Sequence, residues 1–103
     1  MRKKRKLDRE ITIGSLILRY NRAIENHISK HNIKIAEIKR ALEMNYMLKN
    51  LGDRDWVAFC RDPVSGKYIV VFMRQLRKLE FRLKTAREMT ETEKRIYKKK
   101  FKR

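Results

Sequence analysis

Two apolar runs joined by a turn constrain the fold of this chain more than any other stretch. Residues 56–60 (WVAFC) and 68–73 (YIVVFM) are rich in the β-branched and aromatic residues typical of strands. Pro63 and Gly66 lie between them and suit the first corner and the positive φ of a tight turn. The sequence therefore predicts a β-hairpin over residues 55–74. Both strands are apolar on both faces, so helices or a second copy of the chain should cover each side.

The chain carries a large excess of positive charge. Lysine and arginine number 29 against 12 acidic residues, which gives a net charge of +17. Residues 1–10 carry +4 and residues 94–103 carry +7, so two basic ends flank a moderately basic body. Because such blocks repel one another unless a partner neutralises them, the charge indicates a polyanionic partner. Nucleic acid is the first candidate, followed by an acidic protein surface or an anionic membrane.

The first half of the chain has a helical pattern of apolar residues. From Ile13 to Ile28 they recur at spacings of three and four, which predicts a first helix that ends near residues 30–32. Ser15 could cap it, or it could begin earlier, at Asp8 or Thr12. A second stripe over residues 35–51 has two interpretations. One is a single helix over 34–51, stopped by Gly52, and the other is two short helices separated near residues 43–45.

The two-helix interpretation resembles a known family. Residues 33–45 (IKIAEIKRALEMN) resemble the first helix and turn of a helix-turn-helix, and residues 46–53 (YMLKNLGD) its recognition helix. With the hairpin as the wing, residues 13–74 resemble a winged helix-turn-helix DNA-binding domain. The resemblance implies that the recognition segment reads base edges and that the hairpin loop contacts the backbone or minor groove. The implied contact residues are Asn45, Tyr46, Lys49, Asn50 and Arg54 in the first group, and Arg61, Ser65 and Lys67 in the second.

Residues 75–89 fit two structures. Leu76, Leu79, Leu83 and Ala86 have helical spacing, whereas residues 79–84 also alternate with the period of a strand. We expect a helix, because no turn signal separates Met73 from Leu79. As a strand, this stretch would complete a three-stranded meander followed by a helix. That order, with the turn DPVSGK at 62–67, would resemble the arm-binding domains of phage-type integrases.

A last helix should begin at residue 90. Thr90 and Glu93 have the spacing of a capping box, and Ile96, Tyr97 and Phe101 could pack on the body of the protein. The basic residues of this helix and of the N-terminal arm are predicted to contact phosphates, so that binding should weaken steeply with salt. These predicted contacts are Arg2, Lys3, Lys4, Arg5, Lys6, Lys94, Arg95, Lys98, Lys99, Lys100, Lys102 and Arg103.

Motifs of catalysis, cofactor binding and membrane insertion are missing from the sequence. It has no glycine-rich phosphate loop, no paired cysteines and no nucleophile elbow, so we expect no enzyme, no catalytic residue and no cofactor. His27 and His31 lie four apart but have no third ligand nearby, so no metal site is predicted. Cys60 is predicted to be a small core residue. A single cysteine is also typical of a protein in a reducing cytoplasm. No apolar run reaches the length of a membrane span, and no membrane partner is expected.

The sequence as a whole predicts an α+β protein that is mostly α. It should comprise a basic N-terminal arm (1–10), a winged-helix-like helical domain with one hairpin (11–89), and a basic C-terminal helix or tail (90–103). Its expected function is non-catalytic nucleic-acid binding, with duplex DNA favoured over RNA. Two alternatives remain, an RNA- or ribosome-binding protein and a small basic inhibitor or adaptor on an acidic surface of a larger protein. A homodimer through the hairpin is also possible, and the location would be cytoplasmic, on the nucleoid in a bacterium or in the nucleus of a eukaryote.

Overall fold

The computed structural model describes residues 6–101, and these form one mixed sheet with three short helices. Strand accounts for 44% and helix for 27%, so the expectation of a mostly α, winged-helix-like protein is wrong. In chain order the elements are β1 (Arg9–Ile13), β2 (Leu16–Tyr20), α1 (Arg22–Ser29), α2 (Ile35–Leu42), β3 (Met47–Gly52), β4 (Asp55–Arg61), β5 (Tyr68–Arg77), β6 (Glu80–Glu88) and α3 (Glu91–Lys100).

The six described strands lie in the order β1-β2-β6-β5-β4-β3. The pairs β1–β2, β3–β4, β4–β5 and β5–β6 are antiparallel hairpin neighbours. The pair β2–β6 is parallel and aligns Leu18 with Phe81. This one parallel contact joins the N-terminal hairpin to the four-stranded meander, so the whole sheet depends on residues that are far apart in the chain.

The predicted hairpin over residues 55–74 is confirmed. Asp55 pairs with Arg74 and Arg61 with Tyr68, at the two ends of the β4–β5 ladder. On one face of the sheet, Ala58, Cys60 and Ile69 belong to a large core with α1 and α2. On the other face, Val57 and Val70 pack with Tyr97 of α3. Helices of the same chain therefore cover both faces, and the hairpin needs no second copy to bury them.

The predicted first helix over residues 13–28 is wrong in its first half. Residues 9–20 form the β1–β2 hairpin, with Gly14 at φ +60° in the turn between Ile13 and Leu16. Leu16, Leu18 and Tyr20 alternate along β2 toward the α1 and α2 face, and this period-two pattern is hidden within the helical spacing. The helix begins at Arg22, where the Asn21 side chain accepts a hydrogen bond from the backbone N–H of Ile24. Its predicted end near residue 30 is confirmed.

The predicted recognition helix is a strand. The chain does break after α2, as the two-helix interpretation required, but residues 47–52 then pair with β4 as β3. A helix at this position would leave the edge of β4 without backbone partners, whereas pairing satisfies the amides and carbonyls of both segments. Because residues 46–53 contain no helix, the winged-helix arrangement and its major-groove contacts have no structural basis in this chain.

The predicted helix over residues 75–89 is also wrong, and the strand alternative is correct. β5 continues to Arg77, and β6 returns after a tight turn. Phe72 pairs with Thr85 and Met73 with Leu83, so Lys84 is an extra residue in β6. This bulge resets the alternation, and Leu83 and Ala86, three residues apart, both face the core. The bulge therefore produced the three-residue spacing between Leu83 and Ala86 that favoured a helix.

The C-terminal helix begins as predicted. The Thr90 hydroxyl accepts from the backbone N–H of Glu93, and the Glu93 carboxylate accepts from the backbone N–H of Thr90. Tyr97 is buried and joins the core under α3, so this helix is part of the folded domain rather than a tail. Among the described residues, none of the helices combines the length and the apolar character needed to cross a membrane.

Cys60 is a buried core residue, as the sequence indicated. It is fully enclosed in β4, and burial raises the pKa of its thiol to about 12. A protonated and inaccessible thiol is a poor nucleophile. We expect a disulfide reagent such as DTNB to modify Cys60 at neutral pH only after denaturant is added. Rapid modification of the folded protein, followed by absorbance of the released thiolate, would contradict the burial of this strand.

Candidate nucleic-acid interface

Three cationic side chains surround the ring of Tyr68. The Cζ atom of Arg61 lies 5.2 Å from the ring centroid, the Nζ atom of Lys98 lies 5.2 Å from it, and that of Lys94 lies 5.7 Å from it. All three cations are in the range of cation–π attraction. We call Tyr68, Arg61, Lys94 and Lys98 the Tyr68 cluster.

The fold brings this cluster together from two separate segments. Arg61 ends β4 and is the cross-strand partner of Tyr68, which begins β5. Lys94 and Lys98 are four residues apart and therefore lie on one face of α3. The hairpin register places Arg61 beside the ring, and the docking of α3 places both lysines over it.

Tyr97 holds α3 in this position. Its ring contacts Tyr68 edge-on at 5.9 Å and Phe101 at 4.8 Å between centroids. Its hydroxyl donates a 2.7 Å hydrogen bond to the carbonyl oxygen of Asn45, and burial raises the pKa of Tyr97. The start of α3 is fixed by Arg87, whose guanidinium donates two hydrogen bonds, of 2.9 and 3.0 Å, to Glu93.

Few carboxylates neutralise the Tyr68 cluster. Lys94 has an ion pair with Glu91 at 3.4 Å, but that carboxylate is almost fully exposed and contributes little. Within residues 6–101, neither Arg61 nor Lys98 forms an ion pair. Glu93 is nearby but engaged with Arg87, which lowers the pKa of this carboxyl to about 2. Like charges held around one ring repel each other, so an anion would be attracted here.

The remaining basic residues of α3 extend the positive surface. The side chains of Arg95, Lys99 and Lys100 are exposed. Lys6 is exposed before β1. The other predicted terminal contacts, at Arg2, Lys3, Lys4, Arg5, Lys102 and Arg103, lie outside the described residues and stay predictions.

The hairpin loop uses its predicted contact residues for its own structure. The Ser65 hydroxyl donates to Asp62, and Lys67 forms an ion pair of 3.0 Å with the buried Glu37. Asp62 has no exposed surface and accepts from Nε and Nη2 of Arg40 at 2.9 and 2.8 Å, and from the backbone N–H groups of Val64 and Ser65. Of the three predicted loop contacts, only Arg61 has its charge directed to the surface without an internal acidic partner.

The predicted recognition residues are not brought together for base reading. Asn45 and Tyr46 lie in the turn before β3, Lys49 and Asn50 lie on β3, and Arg54 lies in the next turn. The Asn50 side chain donates to the Asp55 carbonyl oxygen and accepts from the Gly52 amide. Asn50 therefore stabilises its own turn, and the other four are exposed on or beside an edge strand.

Tyr68 was not among the contact residues predicted from the sequence. A signal for it was present, because the predicted hairpin already paired the end of the first strand with the start of the second. The rings of His27 and His31 meet edge-on at 5.2 Å, and the described residues contain no group of three or more His, Cys, Asp or Glu side chains that could hold a metal ion.

Comparison with known proteins gives no relative for this chain: no protein-family model matches it, and neither a curated protein nor a solved structure does.

Proposed function

We propose that this protein is a non-catalytic nucleic-acid-binding protein that contacts the phosphate backbone through the Tyr68 cluster and the outer face of α3. The observation that carries the proposal is the convergence of Arg61, Lys94 and Lys98 on one ring with little acidic compensation. A phosphate group placed among them would relieve their mutual repulsion and form charge-assisted hydrogen bonds. Release of counterions from the nucleic acid would supply most of the binding free energy.

Duplex DNA is the ligand that this arrangement favours. Proteins that bind single strands commonly stack bases on exposed aromatic rings. The Tyr68 ring is instead flanked by cations and contacted by Tyr97, so it serves as a support for charge rather than as a stacking platform. The contacts proposed here are to phosphates, which position a protein on a duplex without reading its sequence.

The proposal is tested by a salt titration of a triple variant. Arg61→Gln, Lys94→Gln and Lys98→Gln together should weaken binding to a short fluorescent duplex by at least about tenfold at low salt. Each lost phosphate contact reduces the magnitude of the slope of log K against log salt concentration by roughly 0.9, so the slope of the triple variant should be shallower by about 2 to 3. Fluorescence anisotropy over a series of salt concentrations measures both quantities.

A matched control separates the cluster from net charge. Arg22→Gln, Lys30→Gln and Lys34→Gln remove the same charge from exposed positions on and around α1 and α2, on the other face of the sheet. This control should retain most of the affinity and salt slope of the original protein. Equal losses of affinity in both triple variants would indicate that net charge, rather than the Tyr68 cluster, determines binding. Absence of binding at low salt would contradict the proposal.

RNA binding is distinguished by competition. Structured RNA or a single-stranded oligonucleotide that displaces the duplex at lower concentration than unlabelled duplex would favour the RNA alternative. If both competitors displace the labelled duplex no better than unlabelled duplex does, the result would support the assignment to duplex DNA.

We also propose a cytoplasmic location, or a nuclear one in a eukaryotic host. The support is the single cysteine, which is free and buried in β4. A fluorescent fusion that accumulates outside the cell or in an oxidising compartment would contradict it.

A further inference from the structure

The outer edge of β3 concentrates exposed apolar side chains. In the described part of the sheet, β3 is the last strand, and only β4 pairs with it. Leu48 is 41% exposed and Leu51 52% exposed, and Ile96 of α3 beside them is 56% exposed. With Met44 and Tyr46, these make five of the eight large apolar side chains that are exposed within residues 6–101. Such a concentration on a small protein indicates an interaction surface.

A groove runs between this edge and α3. It has a volume of about 530 Å³, and its apolar lining comes from β3, the residue before it, β4 and α3. The apolar lining residues are Tyr46, Met47, Leu48, Phe59 and Ile96. Lys49 and Lys100 also line it, and the lining carboxylate of Glu93 is already paired with Arg87. The groove therefore combines an apolar floor with two cations.

The shape of this surface fits an extended polypeptide. A strand added to the edge of β3 would pair with its outward backbone groups, while alternate side chains enter the groove. An edge strand that lacks charges and bulges is a template for such pairing. On β3 the protection consists of Lys49 and of a bulge between Asn50 and Gly52, so residues 47–50 are the part that a further strand can pair with.

The charge of the surface selects the partner. A second copy of this chain would add a further net charge of +17 to the complex, and residues 1–5 and 102–103 of the chain itself carry only basic charges. An acidic segment of another protein would instead pair with Lys49 and Lys100. We propose that β3 binds an extended segment of a partner protein that carries both apolar and acidic side chains on the face toward the groove, and that this segment becomes a further strand of the sheet. The groove shares Lys100 with the positive surface of α3 but contains no residue of the Tyr68 cluster, so the inference does not depend on nucleic-acid binding.

The first test uses a fluorescein-labelled, end-capped peptide of repeating Val-Thr-Glu-Thr, which places valine and glutamate on the same face of an extended strand. Anisotropy is measured at high salt, where long-range attraction to the basic surface is screened. The peptide should bind, and Leu48→Ser combined with Ile96→Ser should weaken it by at least about tenfold. Val64→Ser, which changes an apolar side chain that is 73% exposed in the hairpin loop, should leave the affinity unchanged. Absence of binding, or an equal loss in the Val64 variant, would overturn the proposal.

The second test locates the peptide. Hydrogen exchange followed by ¹⁵N NMR should show new protection of β3 amides when the peptide is bound. Protection confined to α3, or displacement of the peptide by a short DNA duplex, would assign it to the phosphate surface and overturn the proposal. Sedimentation equilibrium gives the remaining outcome, because a dimer that Leu48→Ser dissociates would make a second copy the occupant of the edge. The Leu48→Ser and Ile96→Ser variant should bind duplex DNA normally, so this result and the proposed function can fail separately.

Discussion

Replacing Asp62 by alanine should lower the free energy of unfolding by about 3 kcal/mol, because it removes the buried end of an ion pair and leaves Arg40 and two loop amides without their acceptor. The Asp62 carboxylate is fully buried and accepts from Arg40, from the amides of Val64 and Ser65, and from the Ser65 hydroxyl. Arg40 is about one third exposed and recovers some hydration, which keeps the loss below the largest values known for buried pairs. The melting temperature should fall by more than about 10 °C, measured by circular dichroism.

The same carboxylate predicts a pH dependence. Hydrogen bonds from the Arg40 guanidinium hold the pKa of Asp62 well below its usual range. A lowered pKa means that the stabilisation is complete above the ordinary carboxyl range and is lost as the pH falls toward the lowered value. The original protein should therefore lose stability in acid more steeply than the Asp62→Ala variant.

Asp53 supplies the control for this prediction. Its carboxylate also forms an ion pair with an arginine, at 3.4 Å from Arg74, but it is 76% exposed. Because exposed ion pairs contribute little and asparagine also tolerates the φ of +52° at this position, Asp53→Asn should change the free energy of unfolding by less than about 0.5 kcal/mol. Comparable losses in the two variants would show that burial of Asp62 is not the source of its effect.

Replacing Tyr97 by alanine should detach α3 and disperse the Tyr68 cluster. The substitution removes a buried aromatic side chain and its hydrogen bond to the Asn45 carbonyl oxygen, at a cost of about 3 kcal/mol. Lys94 and Lys98 would then leave the Tyr68 ring, and the affinity for duplex DNA should fall by about tenfold at low salt. Thermal unfolding gives the stability, and anisotropy gives the affinity.

Tyr97→Phe separates packing from charge. It removes only the hydroxyl, so it should cost about 1 kcal/mol and keep α3 in place. The affinity for DNA should stay close to that of the original protein. If Tyr97→Ala kept full affinity while its far-ultraviolet spectrum showed a loss of helix, the docked position of α3 would be irrelevant to binding.

The elements that were predicted correctly are those whose sequence signals lie within a short stretch of the chain. The β4–β5 hairpin was predictable because a loop with Pro63 and Gly66 separates two runs that are apolar on both faces. The start of α3 was predictable because a capping box depends only on Thr90 and Glu93. The N-terminal hairpin was missed because its inward residues also fit helical spacing. The strand β6 was missed because the bulge at Lys84 shifts its alternation by one residue.

The candidate site was only partly predictable. Arg61, Lys94 and Lys98 were each expected to contact phosphate, because cations near loops and helix ends commonly do. Their convergence on Tyr68 depends on the packing of Tyr97 against the sheet, which no local pattern contains. The recognition helix was mispredicted for a related reason. Residues 46–53 could pair with β4, and this long-range pairing outweighed a short segment's preference for helix.

The parallel contact between β2 and β6 affects how the protein is made. During synthesis, Ile17 leaves the ribosome long before Glu80, its partner across that contact. The edge of β2 therefore lacks its backbone partner until almost the whole chain has been released. Since contacts between distant segments slow folding, we expect a delayed final step and a dependence on chaperones while the nascent chain is incomplete.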